Sequence, residues 1–398
     1  MQSKNVKLEE LNSSKICVLP WTNMVLGPEA NFAICCEMIP SDIPTKITTS
    51  QPLNKIHKND PKVLRIKRQM LESQEPTECN NCFSRERAGG RSARHYYNEK
   101  FFLYYDSFEF DESPMTFLEL RLGNLCQLEC VMCNPTRSEK LDKLFTQLDG
   151  HGKSYESFIK IKSISASWLD SEVLLNKLFE LCKEVKVIYF NGGEPLLVKM
   201  HNEILNRLIE LDLAKDVKLA YSTNGLLLTS SHLELWKKFK QVNVPISVDD
   251  IGERNRFIRY PTSWEKMVEC LNLAKSSDAP RINFSIWSTI NILNFYYIDE
   301  IESFFRENYQ FNHQIRGIQE PAFLSPINIP QKIKEKIVNK LKPKIMNENV
   351  LNELDFILST RGNDSLFYDG LEYLQKIADK RGINLPATFK EFYELIYD

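Results

Sequence analysis

The sequence predicts an α/β protein built on parallel strands, and three observations carry that expectation. From residue 116 onward, short β-rich runs alternate with longer helical ones. The helical runs place apolar residues three and four apart, the period of a helix with one buried face. Three chemistry-bearing motifs, a cysteine triplet, NGGEP and STNG, fall directly after the first three strand runs. Strand–helix alternation of this kind implies right-handed crossovers and a parallel sheet. Six such units are too few for a closed eight-stranded barrel. A doubly wound open sheet or a partial barrel remains, and either places chemistry at the C-terminal ends of the strands.

The strand runs are TFLELRL (116–122), VKVIYFN (185–191), VKLAYST (217–223), VNVPISV (242–248), RINFSIWS (281–288) and HQIRGIQE (313–320). Between them lie SEKLDKLFTQL, HNEILNRLIEL, SSHLELWKKF, TSWEKMVECLNLA and IDEIESFFREN, each with helical periodicity. The first hundred residues read as irregular: Pro and Gly recur, helical periodicity is weak and cysteines are spread out. That pattern predicts loops tied by a metal rather than by a packed core. From residue 331 the chain turns Lys-rich and helical (QKIKEKIVNKLKPKIM) and ends TFKEFYELIYD, as solvated amphipathic helices would. The expected division is an N-terminal module over 1–112, a core over 113–328 and a helical extension over 329–398.

Composition narrows the function classes. The chain has 398 residues, 42% hydrophobic and 26% charged, with a net charge of -2. It is the balance of a soluble globular protein, with no electrostatic case for nucleic acid or anionic lipid as partner. No apolar run approaches the roughly 18 residues needed to cross a bilayer. The start, MQSKNVKLEELNSSK, lacks the apolar core of a signal peptide, so the cytoplasm is the expected location.

In a reducing compartment, clustered cysteines read as metal ligands or catalytic groups rather than disulfides. Eight of the ten cysteines are clustered: Cys17, the pair Cys35 and Cys36, the pair Cys79 and Cys82, and the triplet Cys126, Cys130 and Cys133. Cys182 and Cys270 stand alone in helix-like apolar stretches, as small buried hydrophobes. The triplet is spaced C-x-x-x-C-x-x-C with no fourth cysteine nearby. Structural zinc wants four ligands, so a zinc site here would have to borrow a distant one. Ferredoxin-type ligation uses another spacing and a further cysteine. A four-iron cube held at three corners fits best, and its bare iron is free to bind a substrate or cofactor.

C-x-x-x-C-x-x-C after the first strand, followed by GGEP after the second, resembles the radical S-adenosylmethionine superfamily over roughly residues 116 to 325. The resemblance implies a partial (β/α)6 TIM-like barrel. It also implies a 4Fe-4S cluster on Cys126, Cys130 and Cys133 whose open iron chelates S-adenosylmethionine. In that family one electron from the cube cleaves a carbon–sulfur bond, giving methionine and a 5′-deoxyadenosyl radical. Iron–sulfur potentials span about -700 to +450 mV, and only the low end suits reduction of a sulfonium. By the same resemblance Met132 lies where the family has a hydrophobic residue touching adenine. Gly192 and Gly193 let the backbone approach the ligand, and Glu194 accepts the methionine ammonium. Ser222 and Asn224 face the methionine or ribose, Ser247 and Asp249 suit ribose hydroxyls, and Arg259 partners the methionine carboxylate. Asp250 stands where the family often has Gly, so the local turn departs from its pattern.

The N-terminal cysteines resemble the twitch (half-SPASM) module of these enzymes, here placed before the barrel. The module holds an auxiliary iron–sulfur cluster, and the resemblance assigns it Cys17, Cys35, Cys79 and Cys82. Ala30 stands where the pattern expects Gly, which lets Cys36 compete with Cys35. Zinc is the alternative occupant, because a C-x-x-C with two further cysteines fits it as well. The neighbouring RERAGGRSAR carries Arg85, Arg87, Arg91 and Arg94 and reads as a solvated loop. Relatives with such modules commonly modify peptides, so the expected substrate is a ribosomally made peptide, with a low-potential flavodoxin or ferredoxin as electron donor. A small molecule (aminoglycoside, nucleoside or sugar) is the second enzyme reading, and a non-catalytic metal-binding scaffold the rival from another class.

Overall fold

The structure, a computed structural model, describes residues 6–38, 45–87, 89–110, 113–148 and 167–397. It divides into two compact units, Met1–Gly123 with Ile164–Tyr221 and Leu235–Val242, and Asn124–Ser163 with Ser222–Glu234 and Asn243–Asp398. The first unit carries β1 (Asn23–Leu26), β2 (Asn31–Ala33), β3 (Thr45–Lys46), β4 (Phe117–Arg121), β5 (Val187–Asn191) and β6 (Lys218–Tyr221). Their order is β3-β2-β1-β4-β5-β6. The outer two pairings are antiparallel, and from β1 inward the strands are parallel. In the second unit β7 (Gln241–Ser247, entering from the first unit), β8 (Ile282–Ile290) and β9 (Asn312–Gly317) continue the series, and β8 and β9 pair in parallel.

Strands β4 to β9 are the six α/β strands expected from the sequence, each within a few residues of its run. Their alternation shows why they form. In β5 Ile188 and Phe190 are buried while Val187, Tyr189 and Asn191 are half-buried, and β7 buries Val242, Val244 and Ile246 in the same rhythm. Period-2 burial fixes register, since a one-residue slip would turn every apolar side chain to the other face. The α/β fold with a helical C-terminal region is therefore as expected.

The N-terminal segment differs from its irregular reading. It holds helices Leu53–Asn59, Pro61–Leu71, Asn80–Arg87 and Ala93–Phe101, and its strand β1 pairs in parallel with β4. The signal was weak because each helix is short and buries only a narrow stripe. Pro61–Leu71 buries Val63, Ile66 and Met70, and is started by Pro61 and by Asp60, whose carboxylate accepts from Lys62 N and Val63 N. The C-terminal helices are amphipathic and bury one face, as the sequence suggests. Helix Asp364–Arg381 buries Phe367, Leu371, Leu374 and Ile377. A side chain at Gly370 would meet Phe323 O at 2.1 Å, so only glycine lets this helix approach so closely. Lys334 from the Lys-rich run is itself buried and donates to the carbonyls of Ile327 (3.0 Å) and Thr360 (2.8 Å). No helix among the described residues is long and apolar enough to cross a membrane.

Candidate active site

In the second unit the cysteine loop is closed at its ends. Asn124 is buried, and its side-chain amide donates to Pro135 O (2.7 Å) while its carbonyl accepts from Glu139 N (2.9 Å). Within the loop, Ser138 Oγ donates to Leu128 O (2.6 Å) and Leu128 N points at Cys126 Sγ (3.5 Å). The middle of the loop is laid antiparallel along residues 258–260. Glu129 N donates to Tyr260 O (2.5 Å) and Val131 N to Ile258 O (2.9 Å). That register sets Cys130 opposite Arg259.

Cys130 is buried, and Arg259 is 11% exposed at its side chain. Cys130 and Cys133 hydrogen-bond through their thiols, which holds Cys133 below and Cys130 well above the usual thiol range. Burial disfavours the Arg259 charge, but Asp249 and the two cysteines outweigh it and keep the guanidinium protonated. Arg259 Nε lies 2.7 Å from Asp249 Oδ2, and Asp249 Oδ1 accepts from Thr289 N at 2.7 Å. Burial pushes the Asp249 carboxyl up, against the pull of Arg259. Asp249, read from the sequence as a partner of ribose hydroxyls, thus has Arg259 and Thr289 as its neighbours in this structure. Asn224 is likewise engaged: its Oδ1 accepts from Gln127 Nε2 (2.9 Å) and Leu226 N (3.1 Å), tying STNG to the cysteine loop. Met132 is buried beside Cys133, whereas Ser222 and Ser247 are half-buried at their strand ends.

The donor chemistry of this loop fits an iron–sulfur cluster: three thiols on a pinned loop, with a cation to offset thiolate charge. Among the described residues no group of three or more His, Cys, Asp or Glu is placed to share a single metal ion.

Asp250, the departure from the family's Gly, closes its own turn by accepting from Ile251 N (2.8 Å) and Arg254 Nε (2.8 Å). Burial pushes its carboxyl from the ordinary 3.8 up to about 7, against the attraction of Arg254. A carboxyl whose folded value stands above its unfolded one contributes stability at acid pH that is lost as pH rises through the folded value. The Asp250 contribution to the unfolding free energy should therefore decline as pH rises from about 4 to about 7. Urea melts should show Asp250→Asn losing less stability, or gaining more, than the parent across that range.

In the first unit the NGGEP turn is built for close backbone approach. Gly192 has φ +120, and a Cβ there would stand 2.7 Å from Gly123 O. Gly193 N donates to the same carbonyl (2.9 Å), and Asn191 Oδ1 accepts from Gly192 N (2.7 Å). Glu194 is buried, and its carboxylate accepts from Leu196 N (3.1 Å) as it starts the turn Pro195–Leu197.

The N-terminal cysteines of this unit are mutual neighbours. Burial first, and then the proximity of Cys82 and Cys79, pushes the Cys17 thiol well up, while the nearby Arg94 opposes. Burial likewise raises Cys35, with Cys36, Cys79, Cys17 and Cys82 all adding to the rise. Cys79 is pushed up to about 12 by burial and by Cys82. Cys35 therefore lies within range of the other three. Cys36, beside acting on Cys35, acts on Tyr97 and Arg121. Four neighbouring thiols, Cys17 buried and the other three half-buried, fit a group that binds thiolate. Ala30 adopts φ 56, the left-handed backbone that glycine would take freely. Ala30→Gly should raise stability by about 1 kcal/mol, measured as a shift in the denaturation midpoint.

Sequence reading missed how the arginine stretch is used. Arg87 and Arg91 are exposed in ion pairs with Glu75 and Glu99, as a solvated loop would have them. Arg94 is only 3% exposed. It donates to Ser14 O and Ile16 O (both 3.0 Å) and pairs with Glu86 (2.7 Å), shaping the segment that leads into Cys17. Asn98 completes the brace, accepting from Val18 N at 3.0 Å. No local spacing announces such contacts, because they span about eighty residues. The two lone cysteines are core residues: burial pushes Cys182 up to about 12, and Cys270 Sγ donates to Gly225 O (3.0 Å) beneath the STNG turn.

Residues 120–307, which include the cysteine loop, match the family model described as the Radical SAM superfamily. Two solved structures similar to the chain are native anSMEcpe with bound AdoMet and Streptococcus suis SuiB bound to precursor peptide SuiA. The first is 19% identical, over 57% of this chain and 59% of that one, with TM-score 0.39. The second is 12% identical, over 87% of this chain and 66% of that one, with TM-score 0.33. The chain thus spans about 59% of the length of the anSMEcpe chain it matches.

Proposed function

We propose that the chain is a radical S-adenosylmethionine enzyme that abstracts hydrogen from a ribosomally made peptide, leading to a crosslink, an epimerisation or an oxidation. The observation that carries this reading is the cysteine loop itself, inside the stretch that matches the Radical SAM family model, with Cys130 set across from an arginine whose charge is balanced by Asp249. Cys126, Cys130 and Cys133 would hold a 4Fe-4S cluster, which when bound with S-adenosylmethionine supplies one-electron cleavage to a 5′-deoxyadenosyl radical. The chain's own groups bind and orient. Gly192 and Gly193 leave room for the cofactor's backbone contacts, Glu194 takes its ammonium, and Arg259 takes its carboxylate. Arg259 is held charged for that task by Asp249, at the cost of one of Asp249's oxygens. Ser222, Asn224, Ser247 and Met132 line the remaining surface.

The peptide substrate rests on the likeness of the N-terminal cysteines to the twitch module, with Cys17, Cys35, Cys79 and Cys82 as ligands of an auxiliary 4Fe-4S cluster. Cys35 is preferred to Cys36 because it shares the surroundings of the other three. The module is assigned to residues 1–112, the core to 113–328 and the extension to 329–398. A flavodoxin or ferredoxin of the cytoplasm is the proposed electron source. The test is anaerobic reconstitution with iron and sulfide, then dithionite and S-adenosylmethionine. Formation of 5′-deoxyadenosine is expected, with iron equal to two clusters. Its complete absence in a protein of full iron content would favour a scaffold role and overturn the reading.

A further inference from the structure

The cysteine loop has a back, and the C-terminal extension covers it. Along residues 129–131 the amides of Glu129 and Val131 are spent on Tyr260 O and Ile258 O, while their carbonyls go elsewhere. Glu129 O accepts from Arg381 Nη2 at 2.5 Å, and Val131 O accepts from the Tyr373 hydroxyl at 3.2 Å. Arg381 Nη1 reaches the second strand of the same pairing, donating to Phe257 O at 2.9 Å. The guanidinium thus bridges the segment carrying Cys130 to the segment carrying Arg259, and its plane lies 4.4 Å from the centre of the Tyr260 ring. Tyr373 and Arg381 lie eight residues apart on helix Asp364–Arg381, so they share one face of it. That helix ends at Arg381 because Gly382 takes the left-handed conformation (φ 63), with its N–H returned to Asp379 O at 3.2 Å. Arg381 is half-buried, has the Glu129 carboxylate as the first of the charges acting on it, and lies within electrostatic range of Cys130.

Two features make this more than packing. A guanidinium is normally satisfied by a carboxylate or by water; here it is taken partly out of water to hold two backbone carbonyls and an aromatic face. Its position also gives Cys130 a second cation beside Arg259, which Asp249 has already claimed. Iron–sulfur potentials respond to net charge, to hydrogen bonding around the sulfurs and to burial. The groups that orient ligand-bearing segments shape the centre as well as the ligands do.

We propose that Arg381, seconded by Tyr373, is a positioning residue for the cluster loop. It locks the Cys130 segment onto the Arg259 segment and adds a fixed positive charge that raises the cluster's reduction potential. The inference rests on the assignment of a cluster to Cys126, Cys130 and Cys133. It gives the C-terminal extension a part in setting the redox centre, rather than a role in solubility or packing alone.

The experiment uses full-length reconstituted protein with Cys79→Ala in the background, so that the loop cluster is read alone. Arg381→Gln, Arg381→Lys and Tyr373→Phe are compared with that parent. Iron content, thermal midpoint, the electron paramagnetic resonance spectrum of the reduced state, and the midpoint potential from a dye-mediated titration are measured. Arg381→Gln should shift the potential negative and alter the spectrum. Arg381→Lys, which keeps charge but not the fork, should restore most of the potential but not the spectrum. Tyr373→Phe should change the spectrum slightly and the potential little. Equal potential and spectrum in parent and Arg381→Gln, at equal iron content, would overturn the inference. So would a loss of thermal stability in Arg381→Gln with the spectrum and potential of its remaining folded fraction unchanged. A parent that takes up no iron at this loop would instead defeat the cluster assignment, a separate outcome.

Discussion

Cys130→Ala, reconstituted without oxygen and reduced with dithionite, is expected to yield no 5′-deoxyadenosine above background and to lose one cluster's iron. The effect is all-or-none because a cube anchored at only two corners has a second uncovered iron and no fixed orientation toward its cofactor. The fold should survive. Arg259, which faces Cys130, keeps its ion pair with Asp249, and the loop keeps its backbone bonds to Ile258 and Tyr260. An unchanged circular dichroism spectrum beside lost cleavage is the expected pair of results. Parent-level cleavage would remove Cys130 from the ligand set. Cys79→Ala should behave differently, keeping some uncoupled cleavage while losing product, because its thiol belongs to the N-terminal set.

Arg259→Met is expected to destabilise the protein by about 3–5 kcal/mol, since it leaves the wholly buried Asp249 carboxylate without its cation. Neutralising the acid as well should recover most of that loss. In Arg259→Met with Asp249→Asn, the amide oxygen still accepts from Thr289 N and no charge remains to be compensated. Chemical denaturation measures both variants. If Arg259 also binds the cofactor carboxylate, the double variant should regain stability yet still bind S-adenosylmethionine at least about tenfold more weakly, the worth of one lost charge-assisted hydrogen bond. Equal affinity of parent and double variant would assign Arg259 to structure alone.

Gly192, which the resemblance marks for close approach to a ligand, lies in the structure against the chain's own backbone: a side chain there would meet Gly123 O, and its φ is positive. Asn224, which the resemblance turns toward a ligand, also ties the cysteine loop: its Oδ1 accepts from Gln127 Nε2 and Leu226 N. Helix Gly252–Ile258 had no place among the predicted elements, being only seven residues long.

The sequence by itself determined the succession of six strands and their helices, and the location of the cysteine, NGGEP and STNG motifs at strand ends. Those features are local: periodicity of 2 or 3.6 and the spacing of neighbouring ligands are written along the chain. Only the tertiary structure decided which side chains meet. The pairing of residues 129–131 with 258–260 puts Cys130 across from Arg259, and Arg381 reaches Glu129 across 252 positions. Burial then changes what each charge can do, since an arginine without water must find acceptors in whatever the fold brings near. Local spacing carries no information about that neighbour.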